Sequence, residues 1–147
     1  MNKEKDALLE IIANGFASSE FHRFLGLDRN SFDVENSCIR FDMRKEFMGN
    51  PKFSILHGGI ISAVLDAVGG FAVAVDVVEA GIVEVAQEWK GGTVDLRIDY
   101  LIPGRGEHFV ASAVILRRGS KVAVVRSELR NEKNDLIAVG TGTYLFG

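Results

Sequence analysis

The sequence predicts an α+β fold, a curved antiparallel sheet of about six strands wrapped round one long central helix. Three observations predict it. Residues 59–78 are almost wholly apolar or small and contain no proline, a run of about five helical turns at roughly 1.5 Å per residue. The last third of the chain repeats strand-like runs separated by short turns, the pattern of an antiparallel sheet. At 147 residues, with 47% hydrophobic and 25% charged residues, length and balance suit a single globular domain with a core of its own.

The long apolar run needs the closest reading. A helix that is apolar on every side is expected to be buried on every side. The run is also close to the roughly 20 residues that cross a bilayer, but His57, Asp66 and Asp76 punctuate it. An aspartate at mid-span costs about 2.5–3.5 kcal/mol on insertion scales, so a soluble core helix is expected and no membrane span. Asp66 is then the anomaly, because an aspartate is rarely buried unless it is paired or working.

In chain order, residues 4–17 read as an amphipathic helix with Leu8, Leu9, Ile11, Ile12 and Phe16 near one face. This helix makes residues 1–20 an N-terminal extension of a domain that spans 1–147. A turn at Ser18-Ser19 and a short apolar clamp at 21–26 follow, with His22 read as a satisfied histidine. From Leu27 the period becomes two. Phe32 and Val34, then Ile39, Phe41 and Met43, mark two strands joined through Glu35-Asn36-Ser37, with Cys38 on the polar side of the alternation. Residues 47–54 read as a loop around Asn50-Pro51, and 79–92 as a polar connection holding Trp89, the only tryptophan. Strands are expected over 93–101, 109–116, 122–129 and 136–146, with turns at 103–106, 117–121 and 131–135.

Charge and cysteine usage narrow the partners. A net charge of −3 gives no basic field, so nucleic acid is not expected. The lone Cys38 excludes an internal disulfide framework and suits a reducing compartment. The first six residues mix charges without an apolar core, and a cytoplasmic location is expected. No internal repeat stands out.

Two groups could carry chemistry. Gly58 and Gly59 open the long helix, where first-turn N–H groups are unpaired and the dipole is positive. Glycine lets a ligand approach that backbone closely, which suits a carbonyl oxygen becoming an oxyanion. Asp66 lies eight residues on, about 12 Å along the axis, so one helix cannot bring both groups to one carbonyl. If they cooperate, Asp66 comes from a second copy whose helix runs antiparallel, and two composite sites form across a twofold axis.

Leu56-His57-Gly58-Gly59 with Asp66 at this spacing, Gly92-Thr93-Val94-Asp95-Leu96, and Tyr100-Leu101-Ile102-Pro103 together resemble hotdog-fold acyl-CoA thioesterases. The likeness is to the phenylacetate-degradation type within the 4-hydroxybenzoyl-CoA thioesterase superfamily, and to a proteobacterial subgroup acting on medium- and long-chain acyl-CoA. It covers about residues 20–147. It implies hydrolysis of an acyl-CoA substrate without cofactor or metal, in a homodimer assembled further as a dimer of dimers. It also implies roles: the Gly58 N–H polarises the thioester carbonyl with help from Asn50, and His57 orients the loop. Asp66 of the other subunit acts as base or nucleophile, and Thr93 holds the water. Coenzyme A brings phosphates, for which Gly59, Arg105, Arg117, Arg118 and Lys121 are the candidate contacts.

No Gly-x-Ser-x-Gly elbow, Cys-x-x-Cys, His-x-x-x-His or P-loop occurs, and His108 has no evident partner in the sequence. Two other readings stand beside hydrolysis. A hotdog hydratase or dehydratase would use His57 as a catalytic group, and a non-catalytic acyl-CoA-binding protein would bind without turnover.

Overall fold

The computed structural model describes residues 2–147, apart from the side chains of Val83 and Val85. Helix α1 (Lys3–Ser18) begins where the Asn2 side chain accepts from the Lys5 N–H, and it buries Leu8, Ile12 and Ala13. Ile11, expected on the same face, is 55% exposed. At 3.6 residues per turn it falls beyond the edge of the arc that runs from Leu8 to Ala13. A short α2 (Glu20–Phe24) follows. His22 Nδ1 donates to the Phe16 carbonyl at 2.7 Å, so this histidine is satisfied, as the sequence suggested.

Strands β1 (Phe32–Asp33) and β2 (Cys38–Asp42) form the expected hairpin, with Phe32 opposite Ile39 and Asp33 opposite Cys38. Cys38 does not lie on an exposed polar face: it is buried beside Ile39. Its registered neighbours Asp33 and Ser112 flank it on the same face, and residues so paired cover one another. Burial raises its thiol pKa. His108, for its part, has a partner 66 positions away in sequence. Its Nδ1 meets Asp42 Oδ1 at 2.8 Å across the β2 register, which raises the imidazole pKa.

The segment over 47–54 is not a plain loop. Strands β3 (Met48–Asn50) and β4 (Ile55–Leu56) pair antiparallel round a turn at 51–54. The His57 N–H donates to the Phe47 carbonyl at 2.7 Å, so this small ribbon is tied to the start of the next helix. That helix, α3 (Gly58–Glu79), is capped by His57 Nδ1, which accepts from the Gly59 N–H at 2.8 Å. It stops at Gly81, whose φ of +74° permits the closing bonds from Gly81 N–H to the Val78 carbonyl and from Ile82 N–H to the Val77 carbonyl. The connection beyond it folds a short α4 (Val83–Gln87) and half-buries Trp89.

Four long strands complete the chain: β5 (Gly92–Tyr100), β6 (His108–Arg118), β7 (Val122–Asn131) and β8 (Leu136–Leu145). With β1 and β2 they make one six-stranded antiparallel sheet in the order β1-β2-β6-β7-β8-β5. The sheet wraps α3, which packs against β2, β5, β6, β7 and β8. This is the predicted hotdog architecture. Arg117 and Arg118 belong to β6 and not to the turn, because pairing with Val124 and Ala123 carries the strand through them.

The prediction that α3 is buried all round holds only in part. It is long and apolar enough to cross a membrane by length and composition, yet 13 of its 22 residues are buried, against the sheet, α1 and α4. Gly59 is exposed and Ser62, Ala63, Asp66 and Gly70 are half-buried, a stripe at helical spacing. Beside it runs β5, which pairs only with β8 and buries none of its residues.

Tyr144 of β8 lies against α3 in a notch cut by Gly69 and Gly142. A Cβ on Gly69 would come within 2.1 Å of the Tyr144 hydroxyl, whereas one on Gly70 would meet nothing closer than 3.7 Å. Gly69→Ala is therefore expected to destabilise the fold by about 1–3 kcal/mol through overpacking. Gly70→Ala is expected to be neutral or to stabilise by up to about 1 kcal/mol, since alanine favours helix. Urea unfolding midpoints of the two variants check the opposite signs.

Candidate active site

Asp66 stands at mid-helix on the uncovered stripe of α3. Its Oδ1 accepts from the Thr93 hydroxyl at 2.7 Å, a contact possible because β5 begins alongside that turn of the helix. Its backbone carbonyl accepts from the Tyr144 hydroxyl at 3.1 Å. Burial and the nearby Asp66 carboxylate raise the Tyr144 pKa strongly, so this phenol stays protonated and serves as a donor. A cavity of about 140 Å³ opens at the carboxylate, lined by Phe16, His22, Trp89, Thr93 and Tyr144 among others. Asp66 thus has one oxygen held by Thr93 and a space in front of it.

The start of α3 offers a different chemistry. Of the first-turn donors, Gly59 N–H is taken by His57 Nδ1, while the Ile60 and Ile61 N–H groups reach the His57 carbonyl. The Gly58 N–H has no acceptor among the described residues. It sits at the positive end of a long helix, where an orphan N–H favours developing negative charge. The Tyr100 hydroxyl donates to the Gly58 carbonyl at 3.0 Å. An open cleft of about 350 Å³ lies between Gly58, Leu56 and the Tyr100–Gly104 segment.

Because Nδ1 of His57 accepts a hydrogen bond, the proton of the neutral ring must be on Nε2. That nitrogen is then not free to take a proton. Asn50 ends β3, and its Oδ1 accepts from the Lys52 N–H at 3.1 Å. This leaves its amide NH₂ as a donor on the ribbon that carries His57.

The structure therefore brings Thr93 to Asp66, and His57 and Gly59 to Gly58, while Asn50 lies on the adjoining ribbon opposite Ile55 and makes no hydrogen bond to Gly58 among the described residues. It does not bring the two groups together within one chain, since eight residues of helix, about 12 Å, separate Gly58 from Asp66. The basic residues are also divided. Arg105 follows Gly104 at the Gly58 end, where the Gly104 carbonyl accepts from the Leu56 N–H. Arg117, Arg118 and Lys121 lie at the β6–β7 hairpin, and Arg118 Nε is bound to Asp76 Oδ2, near the other end of α3. Among the described residues no cluster of His, Cys, Asp and Glu could hold a metal ion.

Sequence reasoning missed Tyr144 and Phe16 at the Asp66 cavity. The one available signal was the Gly140-Thr141-Gly142-Thr143-Tyr144 run, whose alternate glycines leave room on one face of a strand for a large ring two positions on.

Comparison with known proteins agrees with this architecture. The model of the thioesterase superfamily matches residues 53–138, more than half of the chain. The medium/long-chain acyl-CoA thioesterase YigI of Escherichia coli K12 is 39% identical over 132 residues, covering 86% of this chain and 85% of that protein. A crystal structure from Shewanella oneidensis, described as related to the thioesterase superfamily, superposes with a TM-score of 0.88 at 38% identity, covering both chains fully. The PaaI protein of the E. coli phenylacetic acid degradation operon shares the fold, with a TM-score of 0.72 at 18% identity over 95% of this chain and 96% of its own. A central helix inside a six-stranded sheet, with a carboxylate at mid-helix and a bare amide at its start, stands on a chain that belongs to the thioesterase superfamily.

Proposed function

We propose that this protein hydrolyses medium- to long-chain acyl-CoA thioesters to the free acid and coenzyme A, at two composite sites in a homodimer. The observation that carries the reading is Asp66, a half-buried carboxylate facing a cavity and held through one oxygen by Thr93. The likeness to YigI, whose name specifies medium- and long-chain acyl-CoA, supports the substrate class.

The dimer follows from the same stripe. Gly59, Ser62, Ala63 and Asp66 lie uncovered on α3, and the neighbouring edge strand β5 has a free backbone on one side and the exposed Val94 and Tyr100. An unpaired edge beside an uncovered helix face is a surface for a second copy. With two α3 helices antiparallel across a twofold axis, Asp66 of one copy faces Gly58 of the other.

In this arrangement the thioester carbonyl oxygen accepts from the Gly58 N–H at the helix start, with the Asn50 amide as a second donor. Both favour the negative charge that grows on that oxygen. Asp66 of the partner, its Oδ1 occupied by Thr93, takes a proton from water through Oδ2. The water oxygen bonds to the carbonyl carbon, the C–S bond breaks as the carbonyl re-forms, and the proton held on Asp66 passes to the departing sulfur, so that coenzyme A leaves as the thiol and the carboxylate is restored. The hydratase reading would need His57 as a base, and the hydrogen bond at its Nδ1 opposes that role. Arg105 at the Gly58 end of the site is the best placed of the basic residues for a coenzyme A phosphate.

Two measurements test the proposal. Asp66→Asn is expected to lower kcat for acyl-CoA by about 10²–10⁴-fold, the range of a lost general base, followed as thiol release; wild-type turnover would exclude Asp66. Heterodimers of one Asp66→Asn and one Gly58→Val chain are expected to regain about half of the wild-type turnover, and an equimolar random mixture about a quarter, because one of the two sites in each heterodimer keeps both groups. If the carboxylate and the amide acted within one chain, every site in the mixture would stay defective.

A further inference from the structure

The cavity at Asp66 does not end at the carboxylate. Phe16, His22 and Trp89 line both this cavity and a second cleft of about 400 Å³ between α1 and the α4 segment. The three rings form the boundary that the two spaces share, a collar between them. The Phe16 and Trp89 centroids are 6.3 Å apart, and His22 stacks on Phe16 at 6.0 Å, pinned by its bond to the Phe16 carbonyl. Beyond the collar the walls are Ile11, Ile12, Gly15, Ala86 and Gln87, with Ser19 at the α1–α2 turn. Ile11, left exposed by the packing of α1, borders this cleft.

Size and polarity together decide what the cleft suits. At about 140 Å³ the Asp66 cavity is smaller than the ~300–1,000 Å³ typical of small-molecule sites, so it has room for the reacting end of a substrate and not for a chain. The outer cleft falls within that range, and no Asp, Glu, Lys or Arg lines it among the described residues. The cleft of about 350 Å³ at Gly58 is equally free of charge but shares no wall with the Asp66 cavity, and two larger clefts, of about 590 and 680 Å³, carry Asp6, Asp76 and Glu79, and Asp28, Arg40 and Arg44, respectively. An alkyl chain lying there would strip water from charged groups, which is costly.

We propose that the cleft between α1 and α4 is the acyl-chain channel of the Asp66 site, entered through the Phe16–His22–Trp89 collar, and that its extent sets the chain-length preference. This rests on the reading of Asp66 as the carboxylate at the scissile thioester. The N-terminal helix and the long connection after α3 then belong to the specificity apparatus, with Trp89 in direct contact with the chain.

Gly15 provides the test. It lines the cleft, and a Cβ added there would meet nothing within 4 Å, so a large side chain can grow into the space. Glycine inside a helix is itself unfavourable, so the replacement is not expected to cost folding. Each methylene removed from water gains about fourfold, so kcat/KM of the wild type should climb from butyryl- to dodecanoyl-CoA. Gly15→Phe should lower the ratio of kcat/KM for dodecanoyl- over butyryl-CoA at least tenfold; an unchanged ratio would overturn the channel and leave the hydrolysis reading intact.

A second measurement needs no turnover. Trp89 is the only tryptophan, so the emission of the wild-type protein reports on the collar. A dodecyl-CoA thioether, which cannot be hydrolysed, should shift that emission to the blue, and coenzyme A alone should not. No shift at saturating thioether would refute the channel. A shift from a protein that hydrolyses no acyl-CoA would keep the channel and refute the hydrolysis.

Discussion

The structure depends on covering a single apolar helix. With a mean hydropathy of 2.0 over its most apolar window, α3 cannot stand in water, and burial of each of its larger aliphatic side chains contributes about 1.5–3 kcal/mol. Phe71, Leu65, Val64, Val68, Val73 and Val77 are almost wholly enclosed. The sheet that encloses them has two ends, β1 and β5, and it does not close on itself. One helical stripe is therefore left beside one edge strand, and it is on this stripe that Asp66 sits.

The same incomplete closure explains why a charged side chain is tolerated at the centre of so apolar a helix. On the enclosed faces an aspartate would be desolvated without compensation. On the stripe it is half-buried and has Thr93 as a donor. The carboxylate is thus kept near solvent by the architecture that hides its helical neighbours. The Gly58 N–H, at the start of α3, is left free by a second consequence of the fold. His57 turns back to accept the Gly59 N–H, and the β3–β4 ribbon holds His57 in place through Phe47, so the first amide of the helix alone has no acceptor among the described residues.

The aromatic residues between α1, α3 and β8 link the fold to the site. Phe16 packs edge-on against Phe71 in the core and also faces Trp89 and His22 at the cavity. Tyr144, seated against Gly69, donates to the Asp66 backbone and lines the same space. Core packing and cavity shape are therefore set by the same side chains. The extension that precedes the sheet is in this way joined to the candidate chemistry and does not stand apart from it.

What the sequence determined by itself was local in origin. The apolar run of α3, the period-two strands after residue 92 and the His-Gly-Gly entry to the helix all follow from the residue order, because helix and strand periodicities are properties of neighbours. The eight-residue spacing of Gly58 and Asp66 likewise ruled out one carbonyl for both. Contacts between distant segments were decided only by the tertiary structure. The family likeness put Thr93 at the water beside Asp66, but nothing near residue 93 announces that its hydroxyl meets the carboxylate itself, 27 positions earlier, nor does Cys38 show that Asp33 and Ser112 will close over it. The pairing of His108 with Asp42, the β3–β4 ribbon and the collar of Phe16, His22 and Trp89 have the same character. Strand register and the approach of one element to another depend on how the whole core packs, and that information is spread over the entire chain.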